Sequence, residues 1–196
     1  MQQYYLKTSR DGTDHAKRLG WENTNAQERR FLVLSEAINL DGLSVLDVGA
    51  GFADLAVFLR QKGFRVSYTG TEIFPDFARE ARIQAGDSSI HEIDVLTRPD
   101  YFKHKSFDVV YASGPFNLKA HSSPESLEKA WDLFLGLARK AVVISLLHIR
   151  SPEAEEQYLY FDPAVLQEKF ARQGWKLSIR DDYLPNDFAL IARSQA

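Results

Sequence analysis

The segment Val45-Leu46-Asp47-Val48-Gly49-Ala50-Gly51-Phe52-Ala53-Asp54-Leu55 ends an apolar run on an acid and sets two glycines before a helical pattern. Glycines at such a strand–turn–helix junction let a ligand approach the backbone closely. A nicotinamide dinucleotide fingerprint needs Gly-x-Gly-x-x-Gly, and here Asp54 stands at the third glycine position, where its carboxylate would face a pyrophosphate. No Gly-Lys-Ser or Gly-Lys-Thr follows the turn, so the loop that cradles nucleoside triphosphates is missing too. Asp47 at the strand end suits a ligand carrying a positive group better than one carrying two phosphates. Glu72 ends the next predicted strand, 21 residues after Gly51, and its two acceptor oxygens match the two donors of a ribose diol. Asp94 ends the third, where it can accept from an exocyclic adenine amine. Three successive strands thus bring acids to one sheet edge.

The elements that must position these acids are legible from hydrophobic period. Strands are predicted at Ser44 to Val48, Phe64 to Glu72, Ser89 to Val95, Phe107 to Ala112 and Ala141 to Leu147, and helices at 52–62, 75–85, 124–140 and 162–173. The run Ala-Val-Val-Ile-Ser-Leu-Leu at 141–147 lacks polar alternation, as expected of a strand covered on both faces of a parallel sheet. Alternating strands and helices imply an α/β sandwich with right-handed crossovers. After Gly174, Trp175 to Arg180 and Phe188 to Arg193 flank a turn at Pro185-Asn186-Asp187 and predict an antiparallel hairpin. Ahead of the first strand, Thr24 and Gln27 read as a capping box, and Gln27, Arg30, Phe31, Leu34, Ala37 and Ile38 form one stripe of a helix stopped by Gly42. Only residues 1–20 are weakly patterned.

Composition bounds the chemistry. The chain has 196 residues, 24 Lys plus Arg against 27 Asp plus Glu for a net charge of −3, and no cysteine. Its length suits one domain, the charge gives no global attraction to nucleic acid or an anionic bilayer, and disulfides, zinc–thiolate sites and Cys nucleophiles are excluded. His15, His91, His104 and His121 show no spacing suited to a shared metal site. With no apolar centre in Met1 to Arg10 and no run long enough to span a membrane, a soluble cytoplasmic protein is expected.

Through Asp47-x-Gly49-x-Gly51, Glu72, Asp94-Val95 and Phe107-Asp108-Val109-Val110, the chain resembles the class I S-adenosylmethionine-dependent methyltransferases over about 41–194. It is similar in particular to a small, functionally unassigned subgroup, through Gly20-Trp21, Gln27-Glu28-x-Arg30-Phe31, Ala112-Ser113-Gly114-x-Phe116-Asn117 and Leu184-Pro185-Asn186-Asp187-Phe188. The resemblance implies a Rossmann-like α/β sandwich with a seven-stranded, mostly parallel sheet of order 3-2-1-4-5-7-6, the last strand antiparallel and helices on both faces. Residues 1–40 would be an N-terminal segment and helix packing on the cofactor side, and 41–196 the methyltransferase domain. S-adenosylmethionine is the implied cofactor: Asp47 and the turn Gly49, Ala50 and Gly51 would hold the methionyl part, Glu72 the ribose and Asp94 the adenine, with Ile73, Val95 and Ser113 further cofactor-binding candidates. Ala53 stands where many members have a third glycine, for which slightly tighter helix–strand packing is expected. The helix before the first strand should run antiparallel to it, pointing Gln27 and Arg30 at the cofactor's amino-acid end, where Arg30 would pair with the methionyl carboxylate.

Ser113-Gly114-Pro115-Phe116-Asn117 resembles the Asn/Asp/Ser-Pro-Pro-aromatic motif of amine-methylating enzymes, with Gly114 in place of the first proline. Candidate catalytic residues are Ser113, Asn117, His148 and Asp187, with Tyr111 a further weak base. Tyr158, Tyr160, Phe161, Tyr183, Asn186 and Asp187 are candidates for a substrate cover. The expected reaction is methyl transfer to a small planar or aromatic acceptor, not nucleic acid. The alternative is a methyltransferase-like protein that binds the cofactor, or only keeps the fold, and acts through protein contacts.

Overall fold

The computed structural model describes residues 15–86 and 89–195. The first fourteen residues of the expected N-terminal segment lie outside them. Seven strands, β1 (Ser44–Val48), β2 (Ser67–Glu72), β3 (Ile90–Glu92), β4 (Phe107–Ser113), β5 (Ala138–Leu147), β6 (Trp175–Arg180) and β7 (Asp187–Ser194), form one sheet of order β3-β2-β1-β4-β5-β7-β6. β1 to β5 pair in parallel, and β7 inserts antiparallel between β5 and β6. This is the predicted topology.

The helices are α1 (His15–Arg18), α2 (Thr24–Ala37), α3 (Asp54–Gln61), α4 (Pro75–Ala85), α5 (Pro124–Leu137) and α6 (Pro163–Lys169). Most departures from the predicted bounds lie at element ends. β2 starts at Ser67, because residues ahead of it are tied to the preceding loop: Gly42 N–H donates to the Arg65 carbonyl (2.7 Å) and Arg65 N–H to Asp41 Oδ1 (3.0 Å). β5 starts at Ala138, which pairs with Phe107, so α5 stops at Leu137. α2 is capped by Asn23, whose side chain accepts from Ala26 N–H at 2.9 Å, rather than by Thr24. Gln27 is thereby free of the capping box. α1 falls in the weakly patterned segment and has no counterpart in the sequence reading.

Strand period 2 divides the core between the two faces. Val45, Val109, Tyr111, Val143 and Ile191 face α2 and α3, packing on Phe31, Leu34, Leu55 and Phe58. Leu46, Val110, Ala112, Val142 and Ile144 face α5 and α6, packing on Trp131, Phe134 and Phe170. Both faces of β4 and β5 are dry, which is why these strands read as unbroken apolar runs. The polar side chains collect where β1, β2 and β4 end, at the C-terminal sheet edge.

Candidate active site

At that edge the β1–α3 turn is built on left-handed backbone: φ is 75° at Gly49, 58° at Gly51 and 61° at Ala53. Gly49 and Ala50 N–H both donate to the Thr71 carbonyl at 2.9 Å, fastening the turn to β2. Ala53 is fully buried. An L-residue in the left-handed region is disfavoured by about 1–2 kcal/mol, so the departure from glycine costs backbone strain at a position packed among Ala56, Ala78 and Ile90.

Glu72 braces the same turn. Its Oε2 accepts from Gly51 N–H (2.9 Å), and its Oε1 from Ile73 N–H (2.8 Å) and Phe74 N–H (2.9 Å). Two bonds fill Oε1, while Oε2 keeps one lone pair for a ligand hydroxyl. Asp47 is buried beside it and accepts from the Tyr68 hydroxyl at 2.7 Å. Burial pushes both carboxyls up to about 7, against the pull of the Tyr68 hydroxyl at Asp47 and of the three backbone N–H groups at Glu72. Half-buried Asp94 accepts from Leu96 N–H (2.9 Å) and leaves its other oxygen outside that turn.

All three acids line one cavity of about 830 Å³, as do Gly49, Ala50, Gly51, Ile73, Val95 and Ser113. Such a volume accommodates a nucleoside with a tail and a small second molecule. The N-terminal segment closes it over the turn. A Cβ on Gly51 would lie 2.9 Å from both Leu19 methyl carbons, and one on Gly114 2.7 Å from the Trp21 ring. Arg18 forks onto Glu80 through two 2.7 Å bonds. Gln27 donates to Asp54 Oδ2 (3.1 Å), whose Oδ1 meets His15 Nδ1 at 2.8 Å, so Asp54 locks α1, α2 and α3 together.

Arg30 reaches the cavity wall as expected, yet it already has a carboxylate partner. Its Nη2 donates to Asp187 Oδ1 (2.8 Å), its Nε stands 2.5 Å from Asp187 Oδ2, and its Nη1 donates to the Ala26 carbonyl (2.6 Å). Trp21 stacks on the guanidinium at 4.3 Å. Both members of the pair are almost fully buried, at 3% and 1% exposure, and burial pushes Asp187 up against the pull of Arg30. Asp187 is outside the cavity lining, which removes it as a base facing a ligand.

His148 also lies outside the lining. Its Nδ1 accepts from Arg150 N–H (3.0 Å) and its ring packs on Phe188, so it organises the end of β5 instead of facing a ligand. Asn117 lines the cavity and joins three segments: its side-chain oxygen accepts from Leu147 N–H (3.4 Å), its carbonyl from Leu159 N–H (2.7 Å), and its own N–H donates to Gly114 (3.1 Å). Tyr158, Tyr160 and Asn186 line the cavity, whereas Phe161 is in the core and Tyr183 lies behind the wall.

The hydroxyls of Tyr111, Ser113, Ser145 and Tyr183 are buried in one cluster, Tyr111 beside Ser113 and Ser145 and Tyr183 beside Ser145, with no other polar partner among the described residues, and the first two belong to wall residues. Sequence reasoning missed His121, Trp21, Glu22, Glu153 and Glu155, which also line the cavity. Only Trp21 had been marked, inside a family-like Gly-Trp pair. His121 was signalled solely by its place in the segment following the Ser113–Asn117 turn.

Residues 46–132 match the family model described as "Methyltransferase domain". Rv1506c of Mycobacterium tuberculosis, which its name provisionally calls a methyltransferase, is 24% identical over 160 residues, 78% of this chain and 94% of that protein. Among solved structures, the PH0226 protein from Pyrococcus horikoshii OT3 superposes with a TM-score of 0.73 at 15% identity, all of both chains being covered. The 1,6-didemethyltoxoflavin-N1-methyltransferase of Burkholderia thailandensis, solved with 1,6-didemethyltoxoflavin and S-adenosylhomocysteine, gives 0.68 at 17% identity, covering 99% of this chain and 89% of its own. Topology, turn, family model and relatives together support a class I S-adenosylmethionine-dependent methyltransferase whose acceptor is unassigned.

Proposed function

We propose that the protein transfers the methyl group of S-adenosylmethionine to a small planar or aromatic acceptor, acting as a soluble cytoplasmic enzyme. The observation that carries this reading is the convergence of Asp47, the Gly49–Gly51 turn and Glu72 on one end of a cavity whose other end is walled by Tyr158, Tyr160 and Asn186. When bound, the cofactor supplies an electrophilic methyl group on a sulfonium.

The residues fit that group. Glu72 Oε2 has one lone pair left for a ribose hydroxyl, and Asp94 has a carboxylate oxygen for the adenine amine. Asp47 faces the methionyl end, where a cationic amine would favour its ionised form. Tyr111 and Ser113 offer neighbouring hydroxyls near Arg30, whose remaining Nη hydrogens can join them on the methionyl carboxylate. The chain's contribution to rate is alignment of acceptor and methyl group with water excluded by the Leu19–Trp21 cover. No helix among the described residues is long and apolar enough to cross a membrane.

Calorimetry with S-adenosylhomocysteine and NAD tests the cofactor half. We expect micromolar binding of the first and none of the second; the reverse overturns the reading. Isotopically labelled cofactor incubated with total cellular metabolites and with total RNA tests the acceptor half, and label confined to RNA overturns it.

A further inference from the structure

The loop from β4 to α5 and the segment after β5 are laced together above the acceptor end. Lys119 N–H donates to the Gln157 carbonyl (3.0 Å), Leu159 N–H to Asn117 (2.7 Å), and Leu118 bridges Tyr158 antiparallel. This lacing holds His121 on the same cavity wall as Tyr158 and Tyr160. His121 N–H donates to the Leu118 carbonyl at 3.1 Å, which fixes its backbone. Its Nε2 is buried and has no hydrogen-bond partner among the described residues, an arrangement that is costly unless a ligand supplies the partner.

Acids outnumber cations there among the described residues. Glu22, Glu153 and Glu155 line the cavity and form no ion pair with a described residue, while of the lining cations Arg30 is committed to Asp187 and Lys17, exposed on α1 as the three acids are exposed, stands against all three. A negatively charged mouth over aromatic rings attracts an organic cation and repels carboxylates and phosphates.

Resting on the methyl-transfer reading, we propose that the acceptor is a small organic amine, taken in as its ammonium ion, and that His121 Nε2 removes its proton. Nitrogen then has a lone pair to form the bond to the methyl carbon; the carbon–sulfur bond breaks with its electron pair left on sulfur. The products are the N-methylated ammonium ion, S-adenosylhomocysteine and a protonated His121, so two positive charges enter and two remain. Burial pushes the His121 pKa down, which keeps its imidazole neutral and ready to accept at pH 7.

The test uses three probes with one skeleton and different charge: phenethylamine, phenylethanol and phenylacetate, titrated into the protein saturated with S-adenosylhomocysteine. Phenethylamine is expected to bind about tenfold tighter than phenylacetate, and Glu22→Gln, Glu153→Gln and Glu155→Gln combined should erase the difference without altering S-adenosylhomocysteine affinity. Equal binding of the three, tighter binding of the carboxylate, or binding of none overturns the inference. In parallel, labelled cofactor is incubated with cellular metabolites that are afterwards split by ion exchange. Label should emerge in the cation fraction and fall about 100-fold with His121→Asn, whose S-adenosylhomocysteine affinity stays unchanged. Label in the neutral or anionic fractions, no label, or an unaffected variant counts against it. If S-adenosylhomocysteine itself fails to bind, the methyl-transfer reading falls instead, so the two failures are distinguishable.

Discussion

The two ends of the cavity are built differently. At the end formed by β1, β2 and β3, polar groups are largely satisfied before any ligand arrives: Glu72 takes three backbone N–H groups, Asp47 takes the Tyr68 hydroxyl, and the Gly49 and Ala50 amides donate to β2. At the end formed by β4, β5 and the hairpin, hydroxyls of Tyr111, Ser113, Ser145 and Tyr183 meet only one another, and Nε2 of His121 has no partner among the described residues. The first end is preorganised by its own backbone. The second holds polar atoms in wait, with one strong internal pair, Arg30–Asp187, clamping α2 to β7 behind it. On the proposed reading, cofactor recognition is tied to the fold's stability, and acceptor recognition is separable from it.

The largest effect should come from breaking the clamp. Arg30→Ala leaves Asp187 buried without a partner and should destabilise the fold by about 3–5 kcal/mol, read from denaturant unfolding. Adding Asp187→Ala should return a substantial part of that loss. If Arg30→Ala instead leaves stability unchanged and weakens only S-adenosylhomocysteine, the clamp is not structural and the residue serves the methionyl carboxylate alone.

Next comes Glu72, where binding and bracing coincide. Glu72→Ala would strand the amides of Gly51, Ile73 and Phe74, so Glu72→Gln is the cleaner probe. It keeps one carbonyl oxygen for the turn but loses a charge-assisted acceptor toward the ribose. S-adenosylhomocysteine should weaken by about 1.5–3 kcal/mol in calorimetry. Unchanged affinity would move the ribose elsewhere.

The same contrast explains what could be read from sequence. β1 and β6 were legible because hydrophobic period and the Asp47–Gly51 turn are local, and so were Glu72 and Asp94 at successive strand ends, whereas the strand order came with the family resemblance. The Arg30–Asp187 pair was not, since its members are 157 residues apart and each looked available for a ligand. His148 looked like a base at a strand end, but which way its ring turns depends on Arg150 and Phe188, a tertiary fact. His121 depends on lacing between two irregular segments, which have no period to read.

A smaller effect is expected from pH. Burial raises Asp47 to about 7, so the unliganded fold favours its protonated form; stability from that group is complete below its unfolded value and is lost as pH rises through about 7. A ligand amine reverses the preference by pairing with the ionised form. S-adenosylhomocysteine affinity should therefore fall with decreasing pH below about 7, by at most tenfold per unit, with adenosine, which lacks the amine, much less affected. Glu72, raised to the same region, affects both ligands through the shared ribose, so the difference between them isolates Asp47. Parallel pH profiles for the two would remove Asp47 from the methionyl end.

The smallest effect sharpens the contrast most directly, because it asks whether the clustered hydroxyls serve the fold or a ligand. Tyr183 lies behind the wall and Tyr111 on it, and both phenols are buried, pushed up by burial, and meet only the neighbouring hydroxyls of Ser113 and Ser145. Replacing such a buried hydroxyl by hydrogen removes a desolvation cost that offsets the lost contact to within about 1 kcal/mol and leaves the ring packing intact. Tyr183→Phe and Tyr111→Phe should thus both be as stable as the parent or slightly more so. They should part in binding: Tyr183→Phe keeps full S-adenosylhomocysteine affinity, whereas Tyr111→Phe loses the hydrogen bond its hydroxyl can offer to a bound ligand, about 1 kcal/mol. Thermal unfolding with and without S-adenosylhomocysteine reads both quantities in one experiment. A destabilised Tyr111→Phe would show that its hydroxyl is satisfied within the fold, and the acceptor end would then be as internally saturated as the other.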